Sequence, residues 1–375
     1  MTYDPAVDVQ YMQQALELAR GGLGFVSPNP LVGCVLVKDG AVVGRGYHQR
    51  FGGPHAEVYA LQEAGPQARG AVLYVNLEPC SHTGKTPPCA EAVIQAGVSR
   101  VVVALRDPNP LVAGTGLARL KAAGIAVTVG VCEAAAHKLN EAFVKYITTR
   151  RPFVTLKSAI TLDGKIATRT GASQWITGEL ARQEGHRLRH AADAILVGIG
   201  TVLQDDPQLT TRLPERQGAN PLRVIVDSTL RVPLQAQVTD VASNRRTLIV
   251  TTARAPVPHS ETLRTRGVEV VCLPAYDDGR VDLEALCRYL GERGVASVLV
   301  EGGATLSATL LRRRLVDKVL LFVAPKIIGG DGISVVGPCG VETMEQVIQL
   351  RDVVSQRLGN DVLLEAYCTT EVVSS

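Results

Sequence analysis

One histidine and two cysteines constrain this chain more than any other feature. His55 opens the triplet His55-Ala56-Glu57, and Cys80 and Cys89 follow in Pro79-Cys80-Ser81-His82-Thr83-Gly84-Lys85-Thr86-Pro87-Pro88-Cys89. An imidazole and two thiolates supply three ligands of a tetrahedral zinc and leave a fourth position for water. Zinc brings the pKa of that water down towards neutrality, giving a nucleophile for an electron-poor ring carbon. Glu57, just past His55, is placed to move protons without ligating the metal. Singly, H-x-E and two Pro-Cys pairs are weak signals, and a surface histidine with two buried thiols carries the same letters. The ordered conjunction points to a metal: a histidine opening a helical pattern, then two cysteines after a strand, each preceded by proline. A structural zinc with His82 as fourth protein ligand is the intermediate case.

The pattern around these residues alternates strands and helices. Apolar residues at Val9, Met12, Leu16 and Ala19 predict a helix that Gly21-Gly22 ends. Strands are expected over Leu31–Val37, from Ala41, and over Ala71–Leu77, Arg100–Leu105 and Ile125–Val129, with helices over Ala56–Ala64, from Cys89 to Gly97 and over Leu117–Ala123. His55 and Cys89 would then each stand at a helix N-terminus, where the dipole favours a thiolate and a developing oxyanion. One helical segment, Glu133–Thr149, leads to Arg150-Arg151-Pro152, and proline disfavours helix at the residue before it. The second half restarts with a strand at Phe153–Ala159. Strands at Asp193–Ile199, Leu222–Asp227, Thr247–Thr252, Val268–Leu273, Ser297–Val300, Lys318–Val323 and Val362–Tyr367 follow, with helices at Leu283–Arg293 and Ala304–Arg313. A chain of 375 residues exceeds one ordinary core, and the pattern predicts two α/β domains, 1–150 and 151–375.

Composition narrows the partners. The net charge is only +3 and no long basic block appears, so nothing calls for nucleic acid. The N-terminus lacks the basic start and apolar run of a signal peptide, and no apolar stretch reaches the ~20 residues that span a bilayer. Eight cysteines without an export signal read as reduced thiols in a cytoplasmic protein. Cys34, Cys132, Cys272 and Cys368 have apolar neighbours and read as small core residues.

The segment between the two ligand cysteines is rich in donors. Ser81, His82, Thr83, Lys85 and Thr86 suit an anionic group such as a phosphate, or make a merely solvated loop. The order of His55, Glu57, Cys80 and Cys89 resembles the zinc nucleobase deaminases, whose usual pattern is H-x-E followed by P-C-x-x-C. Here eight residues separate the cysteines. With Asn29-Pro30-x-Val32-Gly33 before it and Asp107-Pro108-Asn109-Pro110 after it, the stretch resembles the pyrimidine deaminases of riboflavin biosynthesis. That resemblance implies a cytidine-deaminase-like three-layer domain acting on a diaminopyrimidinone that carries a ribosylamino phosphate. It implies that His55, Cys80 and Cys89 hold Zn2+, that Glu57 shuttles the proton, and that Asn29, His82 and Lys85 contact substrate.

The second half lacks G-x-G-x-x-G after a strand, and its residues alone describe an α/β domain of unknown task. Its polar clusters, each a tight turn when taken singly, are Thr161–Lys165, Ser173–Gly178, Gly198–Thr201 with Asp205-Asp206-Pro207, and Glu301–Thr305. Glycines between a strand and a helix let a phosphate approach the free N–H groups. The string Lys157-x-Ala159, Asp163-Gly-Lys165, Ser173-x-Trp175-Ile-Thr-Gly, Val197-Gly-x-Gly-Thr201, Asp205-Asp-Pro-x-Leu209-Thr-x-Arg212, Glu301-Gly-Gly and Ala324-Pro-Lys-Ile-Ile-Gly-Gly330 resembles the reductase half of the same pathway's bifunctional enzymes. This implies a dihydrofolate-reductase-like fold and reduction of the ribosyl group to ribityl by NADPH. By that resemblance Ala159, Trp175, Thr201, Asp205, Ser228 and the run Gly303, Ala304, Thr305, Leu306, Ser307, Ala308 and Thr309 face the nucleotide. Ser173, Arg189, Leu209, Arg212 and Glu301 face the substrate, two arginines suiting its phosphate. Lys157, Asp205 and Glu301 are unranked candidates for proton transfer. Relatives form homo-oligomers, and the same is expected here. The rival from another class is an RNA-editing deaminase with an accessory RNA-binding domain, which the absent basic patch and the long intercysteine loop oppose. A zinc-stabilised binding protein would instead need a fourth protein ligand.

Overall fold

The computed structural model describes residues 5–81, 88–109, 112–214, 218–241 and 245–369. The chain forms two compact units, Met1–Arg150 and Arg151–Ser375. In the first, helix α1 (Pro5–Ala19) precedes the strands β1 (Gly33–Lys38) and β2 (Ala41–Tyr47). Then come α2 (Ala56–Ala64), β3 (Val72–Leu77), α3 (Cys89–Gln95), β4 (Arg100–Leu105), α4 (Thr115–Ala122) and β5 (Ala126–Val129). Helices α5 (Glu133–Leu139) and α6 (Glu141–Thr149) close the unit.

The five strands lie in the order β2-β1-β3-β4-β5. β1 is antiparallel to both β2 and β3, and β3, β4 and β5 are parallel. Consecutive residues of β1, β3 and β4 are buried, which requires helices on both faces. The expected single helix 133–149 is two helices, because Asn140 is pulled out of it. The buried Asn140 amide accepts from Leu31 N–H (2.8 Å) and donates to Leu31 C=O (3.0 Å). Asn76 likewise accepts from Gly33 N–H (2.7 Å) and donates to Leu31 C=O (2.9 Å). Two amides from distant elements thus hold the segment after Asn29.

The second unit begins with β6 (Phe153–Thr161) and β7 (Lys165–Ala167), then α7 (Glu179–Ala191), β8 (Ala194–Gly198) and α8 (Ile199–Asp205). It continues through β9 (Leu222–Val226), β10 (Thr247–Thr251), α9 (Val257–Thr265), β11 (Glu269–Cys272) and α10 (Leu283–Glu292). β12 (Ser297–Val300), α11 (Ala304–Arg312), β13 (Lys318–Ala324), β14 (Ile333–Ser334), β15 (Leu350–Leu358) and β16 (Asp361–Cys368) complete it.

Nine strands form one sheet, β11-β10-β9-β8-β12-β6-β13-β16-β15, parallel from β11 to β13 and antiparallel through β16 and β15. Strand residues alternate between two cores, as a two-residue period demands. Ala194, Leu196, Val224 and Val250 enter one cluster; Ile195, Val197, Ile225 and Ile249 enter the other. Each such fully buried aliphatic side chain contributes about 1.5–3 kcal/mol. Helices α7 and α9 and strand β15 were not expected from the pattern: α7 and α9 are polar on average, and β15 is exposed over nearly its whole length. Cys34 is buried, Cys132 and Cys368 are partly so, and Cys272 is exposed at the end of the edge strand β11. Cys272 is therefore not the core residue its neighbours suggest.

Candidate active sites

Helix α2 lies directly on β2. A Cβ at Gly46 would stand 2.2 Å from Ala56 O, and one at Gly44 2.2 Å from Ala60 O; only glycine admits a helix backbone this close. That approach fixes the start of α2, where His55 is the N-cap residue. Cys80 follows β3. Just before it the buried Glu78 accepts from the backbone N–H groups of Asp107 (3.1 Å), Gly114 (2.9 Å) and Leu117 (3.1 Å), tying this segment to the start of α4. Cys89 is the first residue of α3, and its N–H points to Cys80 Sγ at 3.4 Å.

The ligand atoms of His55, Cys80 and Cys89 all lie within 4.8 Å of one another. His55 Nδ1 is 3.2 Å from Cys89 Sγ and 3.6 Å from Cys80 Sγ. A tetrahedral zinc with ordinary bond lengths separates nitrogen from sulfur by roughly 3.6 Å, so the donor set fits this metal. The Cys89 thiol against Cys80, with His55 adding to it, holds the Cys80 sulfur down as a thiolate against its burial, while Cys89 is pushed up. No other histidine, cysteine or acid joins these three among the described residues. His82 and Lys85 lie outside those residues.

Glu57 sits in the first turn of α2, 3% exposed, and its Oε2 has no hydrogen-bond partner among the described residues. Burial pushes its carboxyl up to about 7, opposed by His55 and helped by Cys80. A carboxyl titrating near neutrality suits acid–base exchange. His48, at the end of β2, is a residue the sequence pattern does not single out. Its ring packs edge-on to His55 with centroids 5.4 Å apart. Nδ1 donates to Pro54 C=O (2.9 Å), so the neutral ring accepts from the Asn29 amide at Nε2 (3.1 Å). Burial keeps His48 neutral by lowering its pKa. Asn29 is thereby brought to the metal site through a lone histidine whose letter carries no spacing signal.

In the second unit a cavity of about 660 Å³ opens where β8 meets α8, β9 ends and α11 begins. Ser173, Thr201, Asp205, Ser228, Gly303, Ala304, Thr305, Leu306 and Thr309 line it. Ser307 and Ala308 do not; they are 0% and 4% exposed and face the core, because a helix cannot turn seven consecutive residues to one side. Ala159 packs instead beside Ala181, Leu320 and Phe322. Trp175 is 64% exposed, with Arg182 4.8 Å from its ring and its carbonyl accepting from Lys326 Nζ (2.7 Å).

Three of the residues expected to face substrate, Arg189, Arg212 and Glu301, gather in a second cluster, whereas Ser173 lines the cavity and Leu209 enters a core. Arg189 on α7 makes two bonds to Glu301, Nε to Oε1 and Nη2 to Oε2, both 2.8 Å, and a third to Thr210 C=O (3.1 Å). Lys157 Nζ on β6 stands 3.8 Å from Glu301 Oε2. Burial opposes the Glu301 charge, but Lys157 and Arg189 outweigh it and hold the carboxyl at about 2. Arg212 donates its N–H to His186 Nδ1 (3.3 Å) and Nη1 to Gln208 Oε1 (3.2 Å). Burial, with Arg189 and Arg212 adding to it, presses His186 down to about 4, so it stands neutral among the cations. Leu209 is buried in a left-handed conformation at φ +53°. Asp205 is raised by burial and lines the cavity, apart from the Glu301 cluster.

Two family models match the chain in series. Residues 5–105 match the cytidine and deoxycytidylate deaminase zinc-binding region, and residues 152–364 match the RibD C-terminal domain. The riboflavin biosynthesis protein RibD of Aquifex aeolicus is 44% identical over 96% of this chain and 98% of its own length. That of Escherichia coli is 42% identical over 95% and 98%. A solved Acinetobacter baumannii RibD superposes with a TM-score of 0.88 at 40% identity, covering 98% of this chain and 100% of that one. A Thermotoga maritima diaminohydroxyphosphoribosylaminopyrimidine deaminase/5-amino-6-(5-phosphoribosylamino)uracil reductase gives 0.85 at 40% identity, with the same coverage. A cytidine deaminase domain therefore precedes a dihydrofolate-reductase-like domain, with a zinc site in the first and NAD(P)H chemistry in the second. The chain belongs to the RibD family, a deaminase and a reductase of riboflavin biosynthesis joined in one polypeptide.

Proposed function

We propose that residues 1–150 deaminate diaminohydroxyphosphoribosylaminopyrimidine and that residues 151–375 then reduce the ribosyl group of the product to ribityl with NADPH. The single observation that carries this is the donor triad of His55, Cys80 and Cys89 with, beside it, a carboxylate oxygen of Glu57 that has no partner among the described residues. The Thermotoga relative named for these two activities supports the substrate. Zinc held by the triad supplies the Lewis acid that activates water. Glu57 carries one proton from the attacking water to the ring nitrogen and then the remaining hydroxyl proton to the departing amine, so that the C–N bond breaks, ammonia leaves and a carbonyl oxygen replaces it. Asn29, held by His48, orients the pyrimidine, and His82 and Lys85 take its phosphate.

In the reductase half the nicotinamide supplies the hydride. Lys157 Nζ gives the proton that balances it. Glu301, pinned as an anion, positions Lys157 and Arg189, and Arg189 with Arg212 grips the substrate phosphate. Asp205, Thr201, Ser173 and the exposed turn of α11 border the dinucleotide. A homo-oligomer is supported by β15, an unpaired sheet edge on which Val353 and Val354 are 63% and 53% exposed; light scattering on the eluting protein measures the mass. A thiolate-held metal suits a reducing compartment, hence cytoplasm, and no described helix is long and apolar enough to cross a membrane.

The test supplies the diaminopyrimidine phosphate to zinc-replete protein and follows ammonia and NADPH together. Ammonia release followed by NADPH oxidation is expected. After zinc removal, ammonia release should stop while the deaminated pyrimidine still consumes NADPH. Loss of both would sink the two-site scheme.

A further inference from the structure

We propose that the buried Arg223 is a positioning residue of the substrate site: through the Gln208 carbonyl it holds the strap Asp206–Arg212 and so sets where Arg212 meets the substrate phosphate. The inference rests on the reading of Arg212 as a phosphate contact and adds what keeps that exposed side chain in place.

Arg223 stands where the sheet asks for an apolar residue. It is the second residue of β9, level with Ile195 on β8 and Thr247 on β10. The two-residue period puts it on the face of Ile225, which shares a core with Ile195, Leu209 and Val238. Yet Arg223 is charged, at 1% exposure. Burial presses its guanidinium down to about 10, with Arg245 adding to this and Asp240 opposing it, so it remains a cation. A charge in such a place is costly unless its donors are used. Nη1 donates to the carbonyls of Gln208 and Gln237 (both 3.3 Å), and Nη2 to that of Asp240 (2.7 Å). One side chain thus ties the segment after α8 to the short turn Gln237–Thr239 and the residue that follows it.

The strap needs such holding. Two of its residues lie in the left-handed region, Asp206 at φ +39° and Leu209 at φ +53°. Residues other than glycine persist there only where their surroundings fix them. Gln237 holds the start of the strap, its N–H donating to Asp206 Oδ1 (2.7 Å) and its Nε2 to Asp206 C=O (2.5 Å). Arg223 holds the middle, at Gln208. From there two links reach the substrate cluster. Gln208 Oε1 accepts from Arg212 Nη1, and Thr210 C=O accepts from Arg189 Nη1. An exposed arginine loses rotamer freedom when it grips a phosphate, and a partner fixed beforehand lowers that cost. Gln208 is such a partner only while its own backbone is fixed, and Arg223 is the buried group that fixes it.

A double-mutant cycle tests this on the whole zinc-loaded chain, with the deaminated pyrimidine phosphate and NADPH as substrates. Arg223→Lys keeps the charge but replaces the planar fork with a single ammonium. It should raise the reductase KM for the pyrimidine about tenfold with kcat held, while ammonia release by the first unit is unchanged. In an Arg212→Ala background the same replacement should change KM no further, because its effect passes through Arg212. Gln237→Ala releases the exposed end of the strap without touching the buried charge. It should raise KM about threefold, again only when Arg212 is present. If these replacements lower stability in urea but leave KM at the parent value, or if their effects on KM add in full to that of Arg212→Ala, Arg223 is a structural cation only and the inference falls. Should Arg223→Lys fail to fold, Gln237→Ala decides alone. If Arg212→Ala itself leaves KM unchanged, the phosphate reading falls, and the inference with it.

Discussion

Two buried glutamates, one in each half of the chain, have opposite fates. Glu57 lies beneath the zinc ligands with one carboxylate oxygen unpartnered among the described residues, and burial lifts it to about 7. Glu301 is buried as deeply, yet Arg189 and Lys157 reach it and hold it at about 2. Burial pushes both carboxyls the same way, so the counter-ions decide the outcome. The first group sits near neutrality, which suits proton exchange. The second is a fixed anion that holds Arg189 and Lys157 in place. In one molecule, the same side chain stands near neutrality where nothing cationic is bonded to it and stays ionised where two cations are.

The largest effect that separates them is on turnover. Glu57→Gln should lower deamination by about 10²–10⁴-fold, with zinc content and reduction of the deaminated pyrimidine unchanged. An active variant would remove Glu57 from its role and end the contrast. Glu301→Gln should act on stability as well as reduction, because it leaves Arg189 and Lys157 partly buried without their anion, at a cost of about 3–5 kcal/mol in urea unfolding. Deamination should persist. A variant as stable as the parent, with normal reduction, would show that the ion pairs arrange nothing.

A smaller effect has a definite sign. Glu301 is depressed from its ordinary value of 4.5 to about 2. Its contribution, about 3 kcal/mol, is complete above pH 4.5 and is lost as pH falls towards 2. The stability gap between the parent and Glu301→Gln should therefore be flat from pH 7 to about 5 and narrow below that, as measured by unfolding at each pH. A gap independent of pH would point to packing and not to charge. The smallest effect is a reference carboxylate that only caps a helix. Asp282 accepts from the N–H groups of Glu284 (2.8 Å) and Ala285 (3.0 Å) at the start of α10. Asp282→Ala should cost about 1 kcal/mol of stability, with both activities retained. A larger loss would mean that carboxylates in this unit are costly to remove in general and would blunt the Glu301 comparison.

The residue letters by themselves determined the metal chemistry, the order of the two halves and the alternation of strands and helices. A zinc site needs a few specific donors at short range from regular elements, and His55, Glu57, Cys80 and Cys89 sit at strand and helix ends that periodicity and proline mark. The glycines that let α2 reach β2 were visible as letters, but their purpose was not, since it depends on a helix lying ten residues further on. Long-range packing decided the rest. The ionisation of Glu301 depends on Arg189, 112 residues away, and on Lys157, which come near it only once the sheet puts β6 and α7 beside β12. His48 became part of the metal site only because β2 ends beside His55. Arg231, Arg254 and Arg280, scattered along the sequence, line one cavity only because β9 and β10 pair and the loop before α10 closes on Ser228. Local propensity and ligand chemistry act over a few residues and can be read along the chain. Charge states and shared cavities are set by groups that only the folded sheet brings within a few ångströms.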